Sequence, residues 1–237
     1  MKNLIISEGN EPGTDVNDIY SSTVQRRSFL KYAGAGTAGL ALIAAGCKVR
    51  RITAAGLDLG KGDFGILNYA YALEQLEAAF YTKVTSSFYT GATALEKEYL
   101  MDIGNDEIAH REWFKKVLFL NKIQDLKMEF DFSSINFNNR DSVLMAAKNL
   151  EDTGVSAYNG AGNLLKFRPF LRQAGKIVSV EARHAAAIRD LISYGDFAGS
   201  DVVDGNGLDV ARPPREVLEL TAKFFKTKIN GDNLPTI

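Results

Sequence analysis

Residues 105–113 read NDEIAHREW, and residues 179–187 read SVEARHAAA. Each stretch holds a Glu-x-x-His pattern: Glu107 with His110, and Glu181 with His184. These are the only 2 histidines in 237 residues. With 13 glutamates in the chain, chance places one before a given histidine about 5% of the time, and before both roughly 0.3%. On a helix, positions three, four and seven apart share one face. Around the first motif that face carries Ile103, Glu107, His110, Phe114 and Val117; around the second, Ile177, Glu181, His184, Ile188 and Leu191. Both motifs therefore interrupt apolar stripes that should face a core.

Working outward, four long helices can be read. The first runs from about Asp63 to Ser86, with Asp63 as candidate N-cap. The second runs from Thr93 to Leu120, opened by a Thr93/Glu96 capping box. The third starts near Asp141 and continues to about Lys166. The fourth starts at Pro169 and stops before Gly195. A shorter fifth helix is expected over 213–228.

Short turns join the first helix to the second and the third to the fourth, predicting two antiparallel hairpins. Between the hairpins lie about 20 residues, NKIQDLKMEFDFSSINFNNR, enough to travel the length of a bundle. The expected class is all-α. It is a ferritin-like four-helix bundle over 63–195, built of two hairpins and one long crossover, with a tail over 196–237 carrying the short helix. An up-down-up-down bundle with a long loop is the alternative.

The other two helices carry acids on their apolar faces as well. The first offers Leu67, Tyr71, Glu74, Ala78 and Tyr81; the third offers Leu144, Ala147 or Lys148, Glu151, Val155, Tyr158 and Leu165. Burying a lone carboxylate costs several kcal/mol, so it must be neutralised, paired or bound to a metal. Four acids packed together would repel, and divalent cations remove that repulsion.

The halves also align. ALEQLEAAFY (72–81) matches NLEDTGVSAY (149–158), setting Glu74 over Glu151 and Tyr81 over Tyr158. One Glu and one Glu-x-x-His per half is the ligand pattern of di-iron and di-manganese carboxylate bundles. Glu77, one turn beyond Glu74, is the alternative ligand. Glu74 is preferred because only it reproduces the seven-residue spacing to a tyrosine.

The stretches LEQLEAAFY, EIAHREWF, LEDTGVSAYNGA and SVEARHAAAIRDL resemble the ferritin-like domain family that includes plant desiccation-related proteins. The resemblance covers roughly 63–195, and the site is more distantly similar to those of rubrerythrins, bacterioferritins and manganese catalases. It implies two iron or manganese ions, with Glu107 and Glu181 bridging, Glu74 and Glu151 terminal, and one histidine on each metal. Tyr81 and Tyr158 would hydrogen-bond the carboxylates or carry an electron, with plain core packing as the alternative. The resemblance does not fix the reaction. Because two adjacent metals can bind both oxygens of O2 or peroxide and supply two electrons in one step, the favoured reading is an oxidoreductase acting on O2 or peroxide, ferroxidase or catalase-like. The alternative is a non-enzymatic role in stress or desiccation tolerance with structural metals, and an iron store ranks behind both.

Composition narrows the remainder. Hydrophobic residues make up 46% of the chain and the formal charge is −1, with no basic block of the kind nucleic acid would need. Carboxylate and imidazole ligands suit iron, manganese or zinc. Residues 25–31, QRRSFLK, precede the apolar run YAGAGTAGLALIAAG and then Cys47, the only cysteine. The Arg26-Arg27 pair resembles a twin-arginine signal, which exports folded proteins, and Ala44-Ala45-Gly46-Cys47 resembles a lipobox. Residues 1–47 are thus expected to be an export signal and 48–62 a tether. The rest would be periplasmic, held to a membrane by a lipid on Cys47. An uncleaved signal acting as anchor is the alternative, and homo-oligomerisation is left open.

Overall fold

A computed structural model describes residues 52–53, 56–120 and 126–236. The expected export segment 1–47, with Arg26, Arg27 and Cys47, lies outside the described residues. Four long helices are present: α1 (Gly62–Ser86), α2 (Ala94–Leu120), α3 (Arg140–Gly162) and α4 (Arg168–Ile192). A short helix, α5 (Pro214–Thr221), follows in the tail. Helix α1 packs chiefly on α2, and α3 chiefly on α4. Among the described residues no helix is long and apolar enough to cross a membrane.

The direction of α3 decides between the two bundle topologies. Its first residue, Arg140, donates from Nε to Glu96 Oε1 at the start of α2, at 2.6 Å. The same guanidinium donates to the Leu191 carbonyl at the end of α4, also at 2.6 Å. Thr90, in the α1–α2 turn, donates its N–H to Asn138 O. Helices α2 and α3 therefore start at the same end, and the connection between them runs the length of the bundle. This is the ferritin-like arrangement, not the up-down-up-down one.

Residues along the crossover are not idle. Phe130, Phe132, Ile135 and Phe137 pack against a core that includes Leu76, Phe80, Leu100, Leu144 and Ile188. At the opposite end Asp63 ties the hairpins together, accepting from the N–H groups of Lys166 (3.0 Å) and Phe167 (2.7 Å).

That contact corrects two local expectations. Asp63 sits inside the first turn of α1, whose N-cap is Lys61, and caps the α3–α4 turn instead. Helix α3 ends at Gly162 rather than Lys166, because Leu164 and Leu165 bond back to Ala161 and Gly162 as a turn. The Thr93/Glu96 box forms as the sequence predicts, with Glu96 N–H donating to Thr93 Oγ1 and Thr93 N–H to Glu96 Oε2.

The tail also differs from expectation. Helix α5 is shorter than 213–228, giving way to a 3₁₀ turn at Ala222–Phe224 and then to Phe225, which bridges to Phe130 of the crossover. A small sheet, unpredicted, joins β1 (Ile52–Thr53), β2 (Gly56–Asp58) and β3 (Ile229–Asn230). β1 pairs antiparallel to β2, and β2 parallel to β3 with Leu57 opposite Ile229. The end of the expected tether is thereby held by the tail.

Between α4 and α5 the chain crosses α3. Arg212 donates its N–H to Ser156 O at 3.0 Å, and a Cβ on Gly160 would lie 1.8 Å from the Arg212 carbonyl oxygen. Only glycine allows that approach.

Candidate metal centre

Each long helix delivers its polar residues to one level of the core because each face repeats every three or four positions. Glu74, Glu107, Glu151 and Glu181 are 0% exposed, and His110 and His184 are 5% exposed. In α3, Ala147 is buried while Lys148 turns outward to Asp152 and Asp201.

The donor atoms fall into two overlapping quartets. Glu74, Glu107, His110 and Glu181 form one; Glu107, Glu151, Glu181 and His184 form the other. Glu107 and Glu181 belong to both. His110 Nδ1 lies 2.9 Å from Glu181 Oε1, 3.4 Å from Glu74 Oε2 and 3.6 Å from Glu107 Oε2. His184 Nδ1 lies 2.8 Å from Glu107 Oε1, 3.5 Å from Glu151 Oε2 and 3.8 Å from Glu181 Oε2. Each histidine thus comes nearest the shared glutamate of the opposite hairpin.

These contacts are close but not aligned as hydrogen bonds. Glu74 Oε2, Glu151 Oε2, both oxygens of Glu107 and Glu181, and Nδ1 of both histidines make none among the described residues. Orphaned donors and acceptors at this depth are costly. Their spacing suits a shared ion. Ligand atoms about 2.1 Å from one cation stand about 3 Å apart when adjacent and about 4 Å apart when opposite, and all atoms of each quartet lie within 4.8 Å of one another. A buried set of carboxylates and imidazoles with this spacing could hold metal ions.

The other carboxylate oxygens are already occupied. Tyr81 donates to Glu151 Oε1 at 2.5 Å, and Tyr158 donates to Glu74 Oε1. Burial, reinforced by the neighbouring glutamates, pushes both phenols well up, so they stay protonated as donors.

The acids and histidines of the centre shift one another's protonation. Burial pushes Glu74 up to about 8, and the adjacent histidine offsets this only in part; Glu151 is likewise pushed up to about 8. Burial would raise Glu181 too, but both histidines outweigh it and hold the carboxyl at about 2. Burial works against the charge on His110 and His184, yet the surrounding carboxylates push both imidazoles well up. Among the described residues no lysine or arginine pairs with these glutamates.

Glu77 occupies a different place. It is 4% exposed but lies in neither quartet. Its Oε1 sits 2.9 Å from where a Cβ on Gly154 would stand. Burial first, then repulsion from Glu181, Glu107, Glu151 and Glu74, pushes its carboxyl well up. In the aligned halves Gly154 stands where Glu77 does, and the glycine leaves the room that this fifth acid fills.

Asp106 was missed as well. Its Oδ2 lies 3.4 Å from His184 Nε2, the nitrogen facing away from the centre. A carboxylate there fixes ring orientation and raises ligand basicity. The only signal was its place directly before Glu107.

A family model described as the ferritin-like domain matches residues 62–194, from the start of α1 to just past α4. The chain belongs to the ferritin-like domain family. No curated protein matches the chain. Within this ferritin-like domain the two quartets occupy the middle of the bundle, where all four helices meet.

Proposed function

We propose that this ferritin-like protein holds a dinuclear iron or manganese centre and acts as an oxidoreductase on O2 or peroxide. The observation that carries the reading is the pair of quartets sharing Glu107 and Glu181, whose facing atoms have no other partner. In this reading Glu107 and Glu181 bridge the two ions, Glu74 and His110 complete one, and Glu151 and His184 complete the other. When bound, two adjacent redox-active ions supply two electrons in one step to a ligand containing an O–O bond.

The chain's own groups hold and screen that centre. Tyr158 and Tyr81 fix one oxygen of Glu74 and Glu151, so the other oxygen points inward. His184 is steadied from behind by Asp106. Full burial excludes bulk water, which strengthens every charge interaction inside. Glu77 lies one turn from Glu74, its carboxyl pushed well up by burial and by the neighbouring glutamates.

Location is part of the same proposal. The twin-arginine-like pair and Cys47 support export after folding, with metal loaded in the cytoplasm and the mature protein lipid-held in the periplasm. Protected loading favours a redox-active metal over zinc, which otherwise competes well for such ligands.

The test is to load the protein anaerobically with Fe(II) or Mn(II), then follow O2 uptake and O2 release from peroxide. Turnover by one route is expected, absent in Glu107→Ala/Glu181→Ala. Protein carrying two ions yet inert to both would leave the stress-tolerance role standing.

A further inference from the structure

The four glutamates of the centre are sealed from solvent, while both histidines keep a small outer edge at the surface. Those histidines stand on α2 and α4, which pack on each other far less closely than the helices within either hairpin. A seam between α2 and α4 therefore leads from solvent to the centre.

The corresponding seam between α1 and α3 is covered. Helix α1 is buried along most of its length. Phe132 and Phe137 of the crossover pack on Phe80 of α1, and Phe224 of the tail joins the cluster of Leu76 and Leu144. Further along, Arg212 crosses α3 at Ser156. On α2 and α4 burial follows the core stripe. At the level of the centre Asp106, Ala109, Val180 and Ala187 are all partly exposed.

The duplicated halves make the two ends of this seam comparable, and they differ. Asp106 directly precedes Glu107, and Val180 directly precedes Glu181, so each holds the same place beside its Glu-x-x-His motif. Asp106 is 32% exposed in its side chain, and its Oδ2 lies 3.4 Å from His184 Nε2. One carboxylate thus touches both solvent and a proposed ligand. Val180 brings no charge to the aligned position. Three residues past each histidine, on the same helix side, stand Trp113, which is buried, and Ala187, which is small and half-buried. The His184 end offers an anion and room, whereas the aligned positions at the other end carry an aliphatic group and an indole.

We infer that metal ions enter the centre through the α2–α4 seam at its His184 end, with the Asp106 carboxylate as the first protein group they meet. The inference rests on the dinuclear reading proposed above and adds a route to it. An anion at the mouth of a narrow path concentrates cations there and speeds their association.

Stopped-flow mixing of the metal-free protein with Co(II), followed by the absorption of the bound ion, reads the route without any turnover. Asp106→Asn keeps the shape of the side chain and should slow uptake several-fold, with two ions still bound at equilibrium. Ala187→Leu narrows the path while keeping good helix propensity, and should slow uptake and chelator-driven release alike; Ala187→Val serves if it does not fold. An unchanged uptake rate at either position overturns the inference. Faster release from Asp106→Asn with unchanged uptake, the signature of a residue that only orients His184, overturns it too. A parent protein that binds no Co(II) overturns the dinuclear reading itself, and the route falls with it.

Discussion

Tyr81 on α1 donates its phenol hydrogen to Glu151 on α3 at 2.5 Å, and Tyr158 on α3 returns the same bond to Glu74 on α1. Each hairpin thus orients a buried glutamate of the other, Glu151 or Glu74. The seven-residue spacing that marked Glu74 and Glu151 in the sequence is the spacing these crossed bonds require.

Tyr158→Phe and Tyr81→Phe should therefore weaken metal binding alike. Loss of such a supporting bond typically costs about 10- to 100-fold in affinity. Competition against a graded series of chelators measures it. Equal, unchanged affinity in both variants would show that the tyrosines only pack.

Replacing Glu77 separates a ligand from a neighbour. Glu77→Gln should leave two metals bound, because Glu77 belongs to neither quartet. It should also stabilise the metal-free protein above neutral pH by removing a buried acid repelled by four others. Glu74→Gln should instead lose one of the two ions. Elemental analysis and thermal melts of both variants distinguish these outcomes.

The metal-free protein should lose stability as pH rises. Glu74 and Glu151 carry folded values raised from 4.5 to about 8. Between those pH values the folded state holds more protons than the unfolded one, so unfolding becomes easier. The raised histidines act in the same direction, since their stabilising charge is complete only below their ordinary value. Glu181, lowered to about 2, adds stability above 4.5 that is lost as pH falls toward 2. Maximum stability is thus expected near mildly acid pH, declining toward pH 8. Added Mn(II) should oppose the decline, because the ions take the place of the protons. Melting curves across pH, with and without Mn(II), read this directly.

Gly160→Ala tests the tail's crossing of α3. Its methyl group would meet the Arg212 carbonyl at 1.8 Å, so the 210–213 segment must move or α3 must bend. A loss of about 1–3 kcal/mol is expected from such overpacking, measured by denaturant unfolding. Metal content should not change, since Gly160 and Ser156 lie off the α3 stripe that carries Glu151 and Tyr158.

The bundle and the residues at its centre were legible because helical periodicity spans four long segments, each with one polar break in an apolar face. The long crossover was legible from its length, while its direction needed Arg140 and its two partners. The strands were not legible. Ile52–Thr53 and Ile229–Asn230 are two residues each, too short to show alternation, and Ile229–Asn230 pairs with Leu57 and Asp58 across most of the chain. Asp63 has the residue type of a helix cap, yet it satisfies amides about a hundred residues away. Asp106 lies four residues before His110 and Gly154 three after Glu151, yet only the packed bundle reveals that they face His184 and Glu77.

The most direct test of the central claim is metal content per chain, measured by elemental analysis of the purified protein beside Glu107→Ala/Glu181→Ala. Close to two iron or manganese ions per chain, lost in the variant, is the predicted result. No stoichiometric metal in the parent, with the variant at least as stable, would contradict it.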